Sequence, residues 1–556
     1  MLRQHHRKLI QKLFSLSNFP LSCDESRLPS ILKWKVLIFD DRGEYLLTTL
    51  MKASSLIEIG ITYFAHIDKI REPIPDVDAI YFLLPTEINL EKITKDYENH
   101  LYDSINISFI SQIDESMLSN FAGMIAQIGN GSIIHSIFDQ YVNFASPEPH
   151  LFTLFEDDHF MNDIFGFKSS DEKIKNGLDM IADGLTSVFL TAGEIPRVLF
   201  QNNNEAAKML VKMFINKIKP LANNFELWES RRNNNCNYKP PLLVIFDRTA
   251  DLASQLHHPC YYQALIHDNY GIIRNEVSIN ETKYDLDCDI DKFWNSNKSE
   301  TFDTVADMIG KEVNDFIKIH GSIEDDLSNA INNLPELSHK RLSLQTHTKI
   351  AHDLLERIKK MKLDELFKFE EDMFLQNGID TRKLIEFLET IPNEKDRIRC
   401  ASIGYLCNII PNNEIKNVEN VVGSSLDFLT NYCEKFKIIT SSNKKGNIGK
   451  LLSHVGRFGT KNDFNELAEK LPIVEMTRRM LEESIDGFCL MNVQTGKTEQ
   501  PTEIGNIYVF IIGPGNYVEF NGLLALANKN KLELTYGCTS MMRPNEFLSS
   551  LQNIGN

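Results

Sequence analysis

The sequence is poor in cysteine, in basic charge relative to acidic charge, and in long apolar runs. Its nine cysteines in 556 residues are odd in number, and no two form a C-x-x-C pair. A chain of this size builds its own cores without disulfides, so the scatter reads as free thiols in a reducing compartment. The same spacing excludes the usual zinc frameworks. Lys and Arg number 59 against 77 Asp and Glu, a net charge of −18. That deficit opposes broad binding to nucleic acid phosphates. The strongest apolar run, Ile507 to Ile512, is far short of the roughly 20 residues that cross a bilayer. The first twenty residues lack the unbroken apolar core of a secretory signal. They are basic, amphipathic and free of acids up to Asp24. That pattern suits an ordinary first helix, with a mitochondrial presequence as the weaker alternative.

Complete catalytic motifs are missing too. Gly446, Gly449 and Lys450 leave two residues where a phosphate loop needs four, and Leu451 stands where Ser or Thr would hold Mg²⁺. GPGNY at 513–517 follows a strand pattern, but Val518 takes the last glycine position of a dinucleotide fingerprint. It reads as a structural turn feeding Tyr517. There is no G-x-S-x-G elbow and no H-E-x-x-H pair.

What is present is an α/β pattern. KVLIF (35–39), Ile61–Phe64, IYFLL (80–84) and Ile105–Ile110 read as strands. Helices over Tyr45–Glu58 and Ile88–Tyr102 alternate with them, which predicts a parallel sheet. Leu9, Leu13 and Leu16 mark a first helix that ends before Pro20. Two further continuous apolar runs, Leu242–Phe246 and IYVFII (507–512), have the composition of central parallel strands, with Leu534–Tyr536 beyond. If they share one sheet, the residues between them are an insertion. That stretch, about 265–485, carries helical stripes at Ile323, Leu327, Ile331 and Leu334, then Pro335, then Ile350, Leu354 and Ile358. Pro335 would interrupt or hinge a long hairpin. Residues 440–465 are rich in Ser, Gly, Asn and Lys and read as a mobile loop.

The densest chemistry follows the strand at Leu242. Asp247, Arg248 and Asp251 stand at its carboxyl end, where α/β sheets often carry sites. His257, His258, Tyr262, His267 and Asp268 follow. A metal or enzymatic site would recruit Asp247, Asp251, His257 or His258, and His267, but the spacing matches no standard chelate. A structural lock, with Arg248 paired to acidic neighbours and the His and Tyr side chains fixing the chain, is the favoured reading.

Longer blocks carry a resemblance. WKVLIFDDRGEYLLTTL (34–50), EPIPDVDAIYFLLPTEIN (72–89), DRTADLASQLHHPCYYQALIHD (247–268), LDCDIDKFW (286–294), KDRIR (395–399), LPIVEMTRRMLE (471–482), GPGNYVEF (513–520) and YGCTSMMRPNEFL (536–548) resemble the Sec/Munc (SM) family of SNARE-binding vesicle-fusion proteins, most closely its Sly-type branch. IPNEKDRIR is looser than the family pattern, and GPG replaces a more usual GGG-like turn.

The resemblance implies an α/β plus α fold, a three-domain arch with two parallel-sheet domains and a large, mostly helical insertion. The domains would be 1–140, 141–264 joined with 486–556, and 265–485. It implies no catalysis, no metal and no cofactor. It implies a syntaxin-type SNARE and the assembled SNARE complex as partners, with tethering factors as further candidates. It implies a cytoplasmic monomer held peripherally at ER and Golgi membranes; vacuolar or plasma-membrane fusion is the alternative pathway. A syntaxin N-terminal peptide would enter a pocket at Leu118, Phe121, Ala122 and Ile134, unless these are simply core. A hairpin near 323–358, hinged at Pro335, would hold SNARE helices, unless that proline merely ends a helix. LDCDIDKFW would be an Asp-rich strand ending at Trp294. The 441–464 segment, with Leu451, Leu452, Val455 and Phe458 beside Lys444, Lys445, Lys450 and Arg457, would be a lid over the groove, or a solvated linker.

Overall fold

A computed structural model of the chain describes residues 2–15, 33–129, 131–156, 159–222, 239–322, 327–375, 377–438, 471–482, 487–498 and 505–555. The first helix is Leu2–Ser15, and its buried face is Leu2, Arg3, His6, Ile10 and Phe14. That stripe is rotated from the expected one. Leu9 and Leu13 are only partly buried, and Leu16 lies outside the described residues. Two polar side chains, Arg3 and His6, take core positions instead.

Strands β1 (Lys35–Phe39), β2 (Ile61–His66), β3 (Ile74–Leu83), β4 (Tyr102–Phe109) and β5 (Ile134–Asp139) form one sheet in the order β2-β1-β3-β4-β5. Every neighbouring pair is parallel. One carboxylate builds the turn after β1. Asp40 Oδ1 accepts from Gly43 N at 2.8 Å and caps the helix Asp41–Leu50. Its Oδ2 accepts from Leu84 N and Asn89 Nδ2, both at 2.9 Å, tying the end of β1 to the end of β3. A Cβ on Gly43 would stand 2.5 Å from Phe82 O, so only glycine lets this helix lie so close to β3. The helix expected over Tyr45–Glu58 is two helices, Asp41–Leu50 and Ala53–Glu58, parted by extended backbone at Met51. The one expected to Tyr102 stops at Glu98, and Tyr102 opens β4.

The second sheet collects β6 (Ala145–Glu148), β7 (Leu151–Thr153), β8 (Arg197–Gln201) and β9 (Leu242–Asp247) from one part of the chain. A separate antiparallel hairpin, β10 (Glu276–Ile279) and β11 (Thr282–Asp285), comes next. The sheet then gains β12 (Phe488–Asn492), β13 (Ile507–Ile512) and β14 (Leu534–Cys538), in the order β12-β8-β9-β13-β14-β7-β6. β9 and β13 are parallel neighbours, Leu242 opposite Ile507 through to Asp247 opposite Ile512. Leu243, Ile245, Tyr508, Phe510 and Ile512 enter one core, and Leu242, Val244, Phe246, Ile507, Val509 and Ile511 enter another. Two uninterrupted apolar runs thus divide with period two between two covered faces, as central strands do. The edges are mixed rather than parallel, since β12 runs against β8 and β6 against β7.

The chain between β11 and β12 is mostly helical where described. Leu366, Leu384, Ile403 and Leu429 from this block share a core with Ile245 and Phe510 of the sheet. The fold is therefore two α/β sheets with a mostly helical insertion between adjacent strands of the second. Two local expectations fail. LDCDIDKFW is a turn followed by the helix Lys292–Asn297, not a strand. Asp287 Oδ1 accepts from Asp289 N and Asp291 Oδ1 from Trp294 N, both at 2.9 Å, and such local Asp bonds outcompete strand pairing. Pro335 does not interrupt its helix, which runs unbroken from Leu327 to Met361. A proline removes one backbone bond, and this helix is held farther along by buried Leu344, Ile350 and Leu354. Among the described residues, no helix is long and apolar enough to cross a membrane.

Candidate functional site

The Asp247–Asp268 cluster sits at the carboxyl end of β9, almost wholly out of solvent. Asp247 Oδ1 accepts from Thr249 N at 2.8 Å and Thr249 Oγ1 at 2.7 Å, which starts a short 3₁₀ turn. Arg248 is completely buried. Its fork meets Glu519 twice, Nη2 to Oε1 at 2.6 Å and Nη1 to Oε2 at 3.1 Å, and Nη1 also donates to Pro514 O at 3.1 Å. Glu519 accepts a further bond from Tyr536 Oη at 2.8 Å. The acidic partner of Arg248 is therefore Glu519, not a sequence neighbour. Asp251 stays 4.0 Å away and accepts from Ser254 N instead. Burial pushes the Asp247 and Asp251 carboxyls above their ordinary range.

The second half of the cluster faces the helical block. Arg399, from the helix Glu394–Leu406, grips Asp268 at 3.2 and 3.0 Å and donates to Leu256 O and His257 O. His258 places Nδ1 2.7 Å from Glu370 Oε1 and Nε2 3.3 Å from Asp396 Oδ1, while its backbone N–H donates to Glu370 Oε2. Burial and the Arg399 charge oppose protonation of His258, but Glu370 and Asp396 outweigh them and raise it to about 9. Its neighbour His257 only approaches Glu370, Nε2 to Oε2 at 4.0 Å, and burial lowers it to about 4. His267 is likewise lowered to about 4, chiefly by burial. Asp247, Asp251 and His258, which a metal site would recruit, are thus turned to separate partners. Among the described residues the grouping with metal-ligand geometry is Asp287–Cys288–Asp289, and both its carboxylates bind Arg3.

His258 sets a pH dependence. Its folded value lies above the ordinary one near 6.5, so its stabilisation is complete below about pH 6.5 and is lost as pH rises through about 9. The full loss is about 3 kcal/mol. Thermal unfolding between pH 6.5 and 9.5 checks it. Wild type should lose this increment, and His258→Asn should be less stable at pH 6.5 but nearly flat across the range. Parallel curves would sink the assignment.

The candidate peptide pocket lies on the first sheet. Leu118, Phe121 and Ala122 are on the helix Glu115–Ile128, and Ile134 opens the edge strand β5. Phe121 is 1 % exposed and belongs to the core with Ile105, Ile107 and Phe109, so it is not an open wall of a pocket. Leu118 and Ile134 are half-buried against that core, and Ala122 is exposed. The same two elements expose Ile128 and, at 60 %, Phe138, which the sequence reading left out. Pro335 lies within the helix Leu327–Met361, which packs against Phe302–Ser322. The segment 441–464 lies outside the described residues.

Residues 35–550 match the Sec1 family model. The chain belongs to the Sec1 family. This Sec1-family chain is 27% identical to the protein sly1 homolog of Drosophila melanogaster, over 100% of this chain and 98% of that protein. It is 26% identical to Sec1 family domain-containing protein 1 of Homo sapiens, over 94% and 93%. Among solved structures, that of Sly1p in complex with an N-terminal peptide of Sed5p has a TM-score of 0.82 at 24% identity, covering 100% of this chain and 98% of that one. SM protein Vps45 in complex with the Qa SNARE Tlg2 has a TM-score of 0.80 at 17% identity, covering 100% and 98%. The fold is the SM arch.

Proposed function

We propose that this chain is a SNARE-binding SM protein that promotes assembly of SNARE complexes in ER–Golgi traffic. The observation that carries the reading is end-to-end similarity to proteins named sly1, on a fold shared with Sly1p as solved with a Sed5p peptide. The chain binds the N-terminal peptide of a syntaxin-type SNARE on the first sheet, between the helix Glu115–Ile128 and β5. It holds SNARE helices along the hairpin Phe302–Ser322 and Leu327–Met361. Domains 1–140, 141–264 with 486–556, and 265–485 divide this work, the last carrying the hairpin. The protein makes and breaks no bond with its own side chains. The cluster an enzyme would use is buried and internally paired, which supports that view. Its place is peripheral, at ER and Golgi membranes.

A peptide phenylalanine buried against Leu118, Ala122 and Ile134 contributes about 1.5–3 kcal/mol before ordering costs. Phe121 lies beneath and gives the site a firm floor. Titration calorimetry with the Sed5p N-terminal peptide tests this. Leu118→Lys should weaken binding by about tenfold or more, because a charge replaces apolar contact. Since Leu118 is half-buried, the melting temperature should move little. Undiminished binding by the variant would remove the pocket from this face.

A further inference from the structure

The helix Leu327–Met361 changes character along its length. Residues 338–342 are exposed, Leu342 at 63 %. Burial begins just after, with Leu344, His347, Ile350 and Leu354 inside. At that crossing stands a polar cluster apart from the peptide pocket, joined to the buried lock through Tyr262. Asp291, the cap of the helix Lys292–Asn297, accepts from Trp294 N at 2.9 Å and from Ser343 Oγ at 2.8 Å on Oδ1. Its Oδ2 lies 3.1 Å from His347 Nε2. A carboxylate of this kind only accepts, so Nε2 carries a proton and donates. On the other side of the ring, Tyr262 Oη and Nδ1 are hydrogen-bonded at 3.0 Å. The His347 ring is fully buried and lies parallel to Trp294, 6.0 Å between centroids and 6° apart in plane.

Five residues from three separate stretches therefore meet: Tyr262 after β9, Asp291 and Trp294 at the short helix, Ser343 and His347 on the long one. Apolar packing alone lets a helix roll and slide, because it has no direction. Directed bonds on two sides of His347 remove that freedom. We infer that Asp291, His347 and Tyr262 are positioning residues that fix the direction in which the SNARE-holding helix leaves the body of the protein. The inference rests on the function proposed above. The leverage is large. Leu327 lies twenty residues before His347, about 30 Å along the helix, so a tilt of about 10° moves its start by about 5 Å, nearly one helical turn. A shift of that size takes a bound helix out of register. Ligand contact at the exposed end thus depends on hydrogen bonds made behind it, and the buried segment after β9 acts on SNARE helices through Tyr262.

The test uses the full chain and two probes. One is a Sed5p segment that contains the SNARE helix and lacks the N-terminal peptide; the other is that peptide alone. His347→Leu fills a similar volume with an apolar side chain and loses both bonds. It should bind the SNARE segment about tenfold more weakly and the peptide with unchanged affinity. Tyr262→Phe deletes one hydroxyl and should give about a threefold loss with near-normal melting, which keeps the question open to test if His347→Leu folds poorly. Leu429→Ala is the control for simple destabilisation. Leu429 is buried in the helix Asp427–Lys435, outside the hairpin and the cluster, so this cavity should lower the melting temperature and spare SNARE-segment affinity. Equal losses in Leu429→Ala and Tyr262→Phe, or none in Tyr262→Phe and His347→Leu, overturn the inference. A wild-type chain that binds neither probe removes the functional reading, and the inference with it.

Discussion

Arg248→Ala is expected to destabilise the protein by about 3–5 kcal/mol. Arg248 and Glu519 are both completely buried and joined by two hydrogen bonds. Glu519 lies in the helix Tyr517–Asn530 that follows β13, and Arg248 follows β9, so the pair clasps the carboxyl ends of the two central strands. Removing the arginine leaves Glu519 charged with only Tyr536 for a partner, and strips Pro514 O of its donor. The surviving groups cannot reach water, so the loss exceeds the net worth of the pair. A double substitution should separate the two. Arg248→Met with Glu519→Leu removes both charges together and should cost much less than the sum of the single changes, because a buried pair replaced by apolar groups is often near neutral. Denaturant unfolding of the four proteins measures it. Additive losses would mean that the two side chains do not act as a pair.

The sheets were legible because burial on both sides writes itself into composition. VLIF, IYFLL, LLVIF and IYVFII are unbroken apolar runs, and all four lie in central strands. Edge and near-edge strands such as β5, β6 and β12 carry mixed residues and gave no comparable signal. The pairing of β9 with β13 was inferable as a likeness between two distant runs, while its register was not. In the Asp247–Asp268 cluster the residue types were readable and the partners were not. Glu519, Glu370, Asp396 and Arg399 all come from elsewhere in the chain, and a single sequence states no long-range contact. Three of those partners lay in plain view inside quoted blocks, Glu519 in GPGNYVEF and Asp396 and Arg399 in KDRIR. The rotated stripe of the first helix has a similar cause. Periodicity counts apolar residues, and here an arginine and a histidine occupy the inside.

That arginine carries the other large effect. Arg3→Ala should cost about 3–5 kcal/mol and loosen the first sheet from the rest of the molecule. Arg3 is 1 % exposed and spends its whole fork. Nε donates to Asp289 at 2.9 Å, Nη2 to Asp287 at 3.0 Å, and Nη1 to the carbonyls of Thr49, Ser146 and Pro147 at 3.0, 2.6 and 3.1 Å. Those acceptors come from the first sheet's helix, from β6 of the second sheet and from the turn before Lys292–Asn297. The helix is shared in the same way, with Ile10 and Phe14 in a core of the first sheet and Leu2 in the core of the second. One side chain therefore neutralises two carboxylates and satisfies three carbonyls where three parts of the fold meet. Lysine cannot replace it, because a point charge lacks the planar fork that reaches all five acceptors. Arg3→Lys should recover only a minor part of the loss. Calorimetry should show the wild-type transition broaden or split in Arg3→Ala, with near-ultraviolet signals of the first sheet lost earlier. Limited proteolysis should then cut between β5 and β6 in the variant under conditions that leave wild type whole. If Arg3→Ala melts as wild type does and resists cleavage, the first helix is an ornament on the first sheet, and the junction of the arch is held by something else.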